Sequence, residues 1–269
     1  MCYHRGMRFA GSTIAFLLAL AAPAVAADPP DPLVHARQHY NLRQFAAALS
    51  EAEQARLVPA AADSADLIAA RAYLELFRTS GESDDLTNAR DRLRRIDPTR
   101  LAPAERVEFL VGLGEALYFD GDYGAAADVF EPLLARPNDL MPEPRELVLD
   151  WWASALDRDA RPRSDLERTV VYRRIRDRMK DEIGSRPASV AAAYWLAAAA
   201  RGQGDVQAAW DAAQAAWVRA PLASGGAALR ADLDRLVLRG LVPDRARVLA
   251  LPPEALRLEW ERFKERWAN

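Results

Sequence analysis

The chain has 269 residues, of which 51% are hydrophobic and 28% charged, a composition that excludes a disordered segment and suits one large domain or a continuous repeat array. Formal net charge is −3, which argues against a nucleic-acid binder. The single cysteine, Cys2, excludes a disulfide framework.

Arg5 and Arg8 precede an apolar run, Ile14 to Ala22, and then Ala24-Val25-Ala26. This is the charged, apolar and small-residue order of a secretory signal, so residues 1–27 are expected to be a signal peptide cleaved after Ala26 or Ala27. The alternative is an uncleaved anchor, because Phe9 to Ala27 carries no charge. Only in that case is membrane contact expected. Cleavage would remove two basic residues and no acidic one, leaving a charge of −5, and would remove Cys2. The expected location is periplasmic or secreted.

Helical periodicity begins at Leu33 and hardly stops. Leu33 to Asn41 pairs with Phe45 to Arg56, and Ser64 to Phe77 with Leu86 to Ile96. The stretch Thr79 to Asp85 between the latter two reads as a long polar loop. Leu110 to Pro137 reads as a hairpin turned at Gly121-Asp122-Tyr123, with Gly114 and Ala126 as close contacts and Leu113, Leu117, Phe130 and Leu133 as filling. Glu146 to Asp157 and Asp165 to Ile183 follow, then Ala188 to Arg201 and Val206 to Arg219. Ala227 to Arg239, Asp244 to Leu249 and Pro253 to Trp267 complete the chain. No stretch alternates as a strand would.

The small residues Ala48, Ala89, Ala126 and Ala209 recur at intervals of 41, 37 and 83 residues. The last interval is near twice the others and predicts a further pair between them, around Trp151-Trp152.

Gly114, Gly121-Asp122-Tyr123, Ala126, Phe130 and Pro137 resemble a tetratricopeptide repeat (TPR). Leu196-Ala197, Gly204-Asp205-Val206, Ala209, Ala216 and Pro221 do so as well, with weaker matches at Phe45, Ala48 and Ala55 and at Ala70, Tyr73, Ala89 and Asp97-Pro98. The resemblance covers about Leu33 to Pro221. It implies an all-α, right-handed solenoid of about five helical hairpins over residues 28–221, with a C-terminal helical cap over 222–269. It also implies a binding scaffold without catalytic activity or cofactor, whose first helices line a concave groove. On that mapping Tyr118, Phe119, Tyr194 and Trp195 face a protein or peptide partner, with Arg37 and Arg71 nearer the N-terminal end. The basic clamp that some TPR domains use for a peptide carboxylate is missing, since Glu108, Val111 and Glu115 occupy the comparable face.

The remaining chemistry is sparse. His35 and His39 stand at a zinc-ligand spacing, but Ala36 takes the place of a general-base Glu and no third histidine survives signal removal, so no metal site is expected. No nucleophile elbow, phosphate loop or dinucleotide fingerprint is present. The basic stretch Arg161 to Lys180 is interleaved with Asp165, Glu167, Asp177 and Asp181 and reads as a salt-bridged outer helix face, with an acidic partner or lipid headgroup as the alternative. Leu256, Trp260, Phe263 and Trp267 give the last helix one apolar face, expected to be a cap, or else a docking helix. The expected function is an exported bacterial scaffold that binds a protein or peptide. The alternatives are a structural subunit of an envelope assembly, docking through that last helix, and an envelope enzyme with an unrecognised carboxylate site.

Overall fold

Residues 31–136 and 140–267 are described by a computed structural model. The expected signal peptide and Pro137 lie outside these residues. Among the described residues every regular element is a helix. The helices are α1 (Pro32–Asn41), α2 (Phe45–Ala55), α3 (Ala62–Ser80), α4 (Ser83–Arg95), α5 (Pro103–Asp120), α6 (Tyr123–Ala135) and α7 (Pro142–Ala160). They continue as α8 (Asp165–Ser185), α9 (Val190–Gly202), α10 (Val206–Arg219), α11 (Gly226–Leu236), α12 (Val242–Leu249) and α13 (Pro253–Arg266). No described helix is long and apolar enough to cross a membrane.

Local chemistry starts these helices where they start. Pro32, Pro103, Pro142 and Pro253 open α1, α5, α7 and α13, at the position where a missing N–H costs least. Ser164 and Glu167 form a reciprocal capping box on α8. Ser189 and Asp205 accept from backbone N–H groups in the first turns of α9 and α10.

Three of the hairpin turns are copies of one another. Arg43, Gly121 and Gly204 each take the left-handed conformation, with φ of 59°, 88° and 79°. The next residue donates its N–H back to the preceding helix: Gln44 to His39 O (2.9 Å), Asp122 to Leu117 O (3.0 Å) and Asp205 to Ala200 O (3.0 Å). These are the six-to-one bonds that close a helix by a left-handed residue. Gln44, Asp122 and Asp205 then lead into the second helix by accepting from Ala48, Ala126 and Ala209. Three of the four alanines that set the sequence intervals, Ala48, Ala126 and Ala209, therefore occupy one structural position, and all three are fully buried; Ala89 lies further into its helix.

The second hairpin departs from the expected long loop. Thr79 and Ser80 hydroxyls donate to the carbonyls of Glu75 and Leu76 and carry α3 on to Ser80. Gly81, at φ 75°, stops it, and Asp84 and Asp85 lie in the first turn of α4, where a helix N-terminus favours negative charge. Only Gly81 and Glu82 separate the two helices. The pair anticipated around Trp151-Trp152 is α7 and α8. The expected separation of the helices around Arg239 and Asp244 is also corrected: a π-helical turn, Val237–Leu241, joins α11 to α12 without a break.

Each helix from α1 to α10 packs on its successor, as α12 does on α13, and the odd-numbered helices α1 to α11 also pack on one another in series. Small residues permit the closest approaches. A Cβ on Gly114 would lie 2.4 Å from the Phe130 ring, and one on Gly202 would lie 2.6 Å from the Tyr172 ring. Between α7 and α8 the core holds charge. Arg145 Nε and Nη2 donate to the two carboxylate oxygens of Glu182 at 2.8 and 2.9 Å, and Nη2 also donates to Leu134 O at 2.9 Å. Burial pushes the Glu182 carboxyl up, but the Arg145 hydrogen bonds and charge outweigh this and hold it below the usual range.

Candidate functional site

The odd-numbered helices carry most of the half-buried aromatic rings. Tyr118 and Phe119 end α5. Phe119 meets Phe77 of α3 edge-on at 4.8 Å, and Trp151 of α7 meets Tyr118 at 4.5 Å and Phe119 at 5.2 Å. The Tyr118 and Ser154 hydroxyls share a hydrogen bond of 2.7 Å. Two guanidinium groups cover the cluster: Arg158 lies 5.1 Å from the centre of the Tyr118 ring and 5.4 Å from that of Tyr123, and Arg78 lies 5.9 Å from that of Trp151. Rings in this arrangement present an electron-rich face to cations and an apolar body to a ligand.

Beside this cluster a cleft of about 580 Å³ opens between α7, α8, α9, the end of α11 and the start of α12. Its volume is within the range of ligand sites. Tyr194 and Trp195 form part of its wall, their rings edge-to-face at 5.5 Å. Being adjacent in a helix they point about 100° apart. Tyr194 is half-buried, whereas Trp195 is 8% exposed and its indole N–H donates to Asp150 Oδ1 at 2.7 Å. Burial pushes the Asp150 carboxyl up despite that bond.

The polar side of the cleft is built by arginines. Arg161 pairs with Asp157 at 2.8 Å and Arg201 with Asp244 at 2.7 Å. Asp157 also accepts from the Tyr172 hydroxyl at 2.9 Å. Burial together with that carboxylate pushes the Tyr172 phenol up to about 12. Among the described residues Arg158 has no carboxylate partner; its guanidinium donates to the Tyr123 hydroxyl at 3.2 Å.

The other sequence-predicted residues lie elsewhere. Arg37 pairs with Glu105 at 2.9 Å and Glu108 at 3.1 Å. Arg71 donates to Glu108 O at 3.3 Å and lies 4.0 Å from Glu115, a fully buried carboxylate whose two oxygens have no hydrogen-bond partner. Burial pushes the Glu115 carboxyl up, against the attraction of Arg71. Both arginines are thus spent on acids of α5. In α13, Trp260 is fully buried and Phe263 nearly so. Trp260 touches Trp217 at 5.4 Å, Trp210 at 5.8 Å and Phe263 at 5.5 Å, and its N–H donates to Asp234 at 2.8 Å. Of the expected docking face only Trp267 stays half exposed. His39 donates to Gln44 Oε1 at 2.6 Å, and no group of three or more metal-ligating side chains occurs among the described residues.

The sequence survey passed over Trp151, Arg158, Arg201 and Arg239. Their signal was a stripe with helical spacing on each first helix: Trp151, Ser154 and Arg158; Tyr194, Ala198 and Arg201; Asp232, Leu236 and Arg239. The basic stretch Arg161 to Lys180 is largely paired, but mostly with acids outside it; of its interleaved acids only Asp165 takes one of its arginines, Arg168. Arg174 and Arg178 both reach Glu131, and Arg176 reaches Asp205 at 3.3 Å. No protein-family model matches this chain, and neither does any curated protein or solved structure.

Proposed function

We propose that this chain is an exported, TPR-like solenoid scaffold that binds a protein or peptide partner along the face formed by its odd-numbered helices. The observation that carries the reading is the threefold recurrence of one hairpin turn, at Arg43, Gly121 and Gly204, with a buried alanine at one fixed position after each. A hairpin repeated in this way cannot bury both faces alone, so it stacks, and stacking leaves one face of the first helices as a continuous surface. Tyr118, Trp151 and Tyr194 are partly exposed on those helices, and the cleft lies between them. Export rests on the sequence pattern of residues 1–27. Binding by such a surface requires neither a cofactor nor a catalytic step. The assembly-subunit alternative is left with Trp267 alone of its docking face, because Trp260 and Phe263 are buried within the chain.

A photo-crosslinking amino acid placed at Ser154 or Ala198, both at the cleft, tests the reading in the producing cell. Arg173, exposed on α8, provides the control position. Discrete adducts from the two cleft positions, absent from the control, are expected. Adducts only from Arg173 would place the binding surface on the even-numbered helices and sink the proposal.

A further inference from the structure

We infer that the partner segment bound in the cleft is acidic: an internal stretch of Asp or Glu side chains interspersed with apolar ones. This rests on the scaffold reading and adds the chemistry of the ligand. The cleft adjoins two smaller hollows, and all three share Arg201. Together they are lined by seven arginines and four aspartates. The local balance is therefore positive in a chain whose net charge is −3.

The aspartates do not cancel the surplus. Asp157 takes Arg161, Asp165 takes Arg168, Asp232 takes Arg235, and Asp244 is shared by Arg201 and Arg247. Among the described residues Arg158 and Arg239 are left without a carboxylate, both are exposed, and both border Tyr194, one in the main cleft and one in the hollow beside it. Arg239 is followed by Gly240, where a Cβ would come 2.8 Å from Arg201 Cζ. The bare backbone there lets the Arg201 guanidinium lie across the π-helical turn, inside the hollow that Arg239 also lines. A planar, always-charged group beside an aromatic wall suits a carboxylate on a chain that also has an apolar side chain to place. Nothing in the arrangement requires a free chain terminus, because the excess charges are spread over two hollows.

The test is fluorescence anisotropy with a labelled, C-terminally amidated peptide of sequence (Glu-Glu-Leu)4, and the same peptide with Gln for Glu. The acidic peptide is expected to bind about tenfold or more tightly than the Gln peptide, and to weaken as salt rises. Arg158→Gln combined with Arg239→Gln should abolish that preference, and Arg158→Lys combined with Arg239→Lys should restore most of it. Equal binding of the two peptides, or an unchanged preference in the Gln variant, would overturn the inference. So would sedimentation with phosphatidylglycerol vesicles in place of peptide binding, which would make the surface a lipid site. If neither peptide binds while Ser154 still crosslinks a partner, the acidic preference fails and the scaffold stands. If both fail, the groove itself is misassigned.

Discussion

Arg71 on α3 and Arg158 on α7 both belong to odd-numbered helices and meet opposite surroundings. Arg71 is enclosed by the Glu108 carbonyl and the buried Glu115 carboxylate, and Glu105 and Glu108 hold Arg37 close by. Arg158 is exposed over two aromatic rings and has no acid among the described residues to neutralise it. The first arginine is an internal tie and the second is free to meet a ligand. A cation on a groove-forming helix is thus a binding group only where its charge is not already consumed by the next helix.

Breaking the sealed end should have the largest effect. Arg71→Ala leaves Glu115 buried without its guanidinium, which should cost about 3–5 kcal/mol by denaturant unfolding at pH 8. The cost should shrink as pH falls through the raised Glu115 value, because protonating Glu115 removes the stranded charge. A loss near zero at pH 8 would mean that this end is not closed by its ions.

The open end has its own internal tie. Trp195→Phe keeps the ring in the wall but strips Asp150 of the indole N–H, for an expected loss of about 1–3 kcal/mol. Trp195 would instead be a ligand residue if stability held and partner binding fell.

Glu115 supplies a pH dependence of known sign. Its carboxyl is raised by burial, so the folded state holds the proton more tightly than the unfolded chain. Stability from this group is full below the ordinary carboxylate range and is lost as pH rises through the raised value. The slope is at most about 1.4 kcal/mol per pH unit. Glu115→Gln should flatten the wild-type decline above the ordinary carboxylate range; an unchanged curve would assign the decline to another group.

The smallest effect belongs to the exposed arginine. Arg158→Ala should cost about 0.5–1 kcal/mol, the worth of an exposed cation over a ring, while partner binding falls far more. A loss of several kcal/mol would make Arg158 a tie like Arg71 and erase the contrast.

Much of the fold was legible because it is local. Gly121 and Gly204 announce their turns, since a left-handed residue costs glycine little. The matching turn between Asn41 and Phe45 was read from periodicity, but its left-handed residue was hidden, because an arginine at position 43 gives no such signal. The α7 and α8 helices were read from periodicity, but their place as a repeat unit showed only through a gap in spacing. α8 has no alanine at all, and the small residue its Tyr172 needs is Gly202 of α9. The long loop expected at Thr79 to Asp85 failed for a related reason: polar residues there serve as helix caps and first-turn charges.

The sequence by itself determined the all-helical class, the hairpin order and the small contacts that set it, because a period of 3.6 residues and turn chemistry act over a few neighbours. It also brought Tyr194 to notice, and the structure places that residue in the wall of the cleft. The tertiary structure alone decided which charges are spent. Arg37 meets Glu108 across 71 residues, Arg145 meets Glu182 across 37, and Trp195 meets Asp150 across 45. A periodic pattern shows which face a side chain occupies, but its partner depends on which face of a distant helix is brought against it.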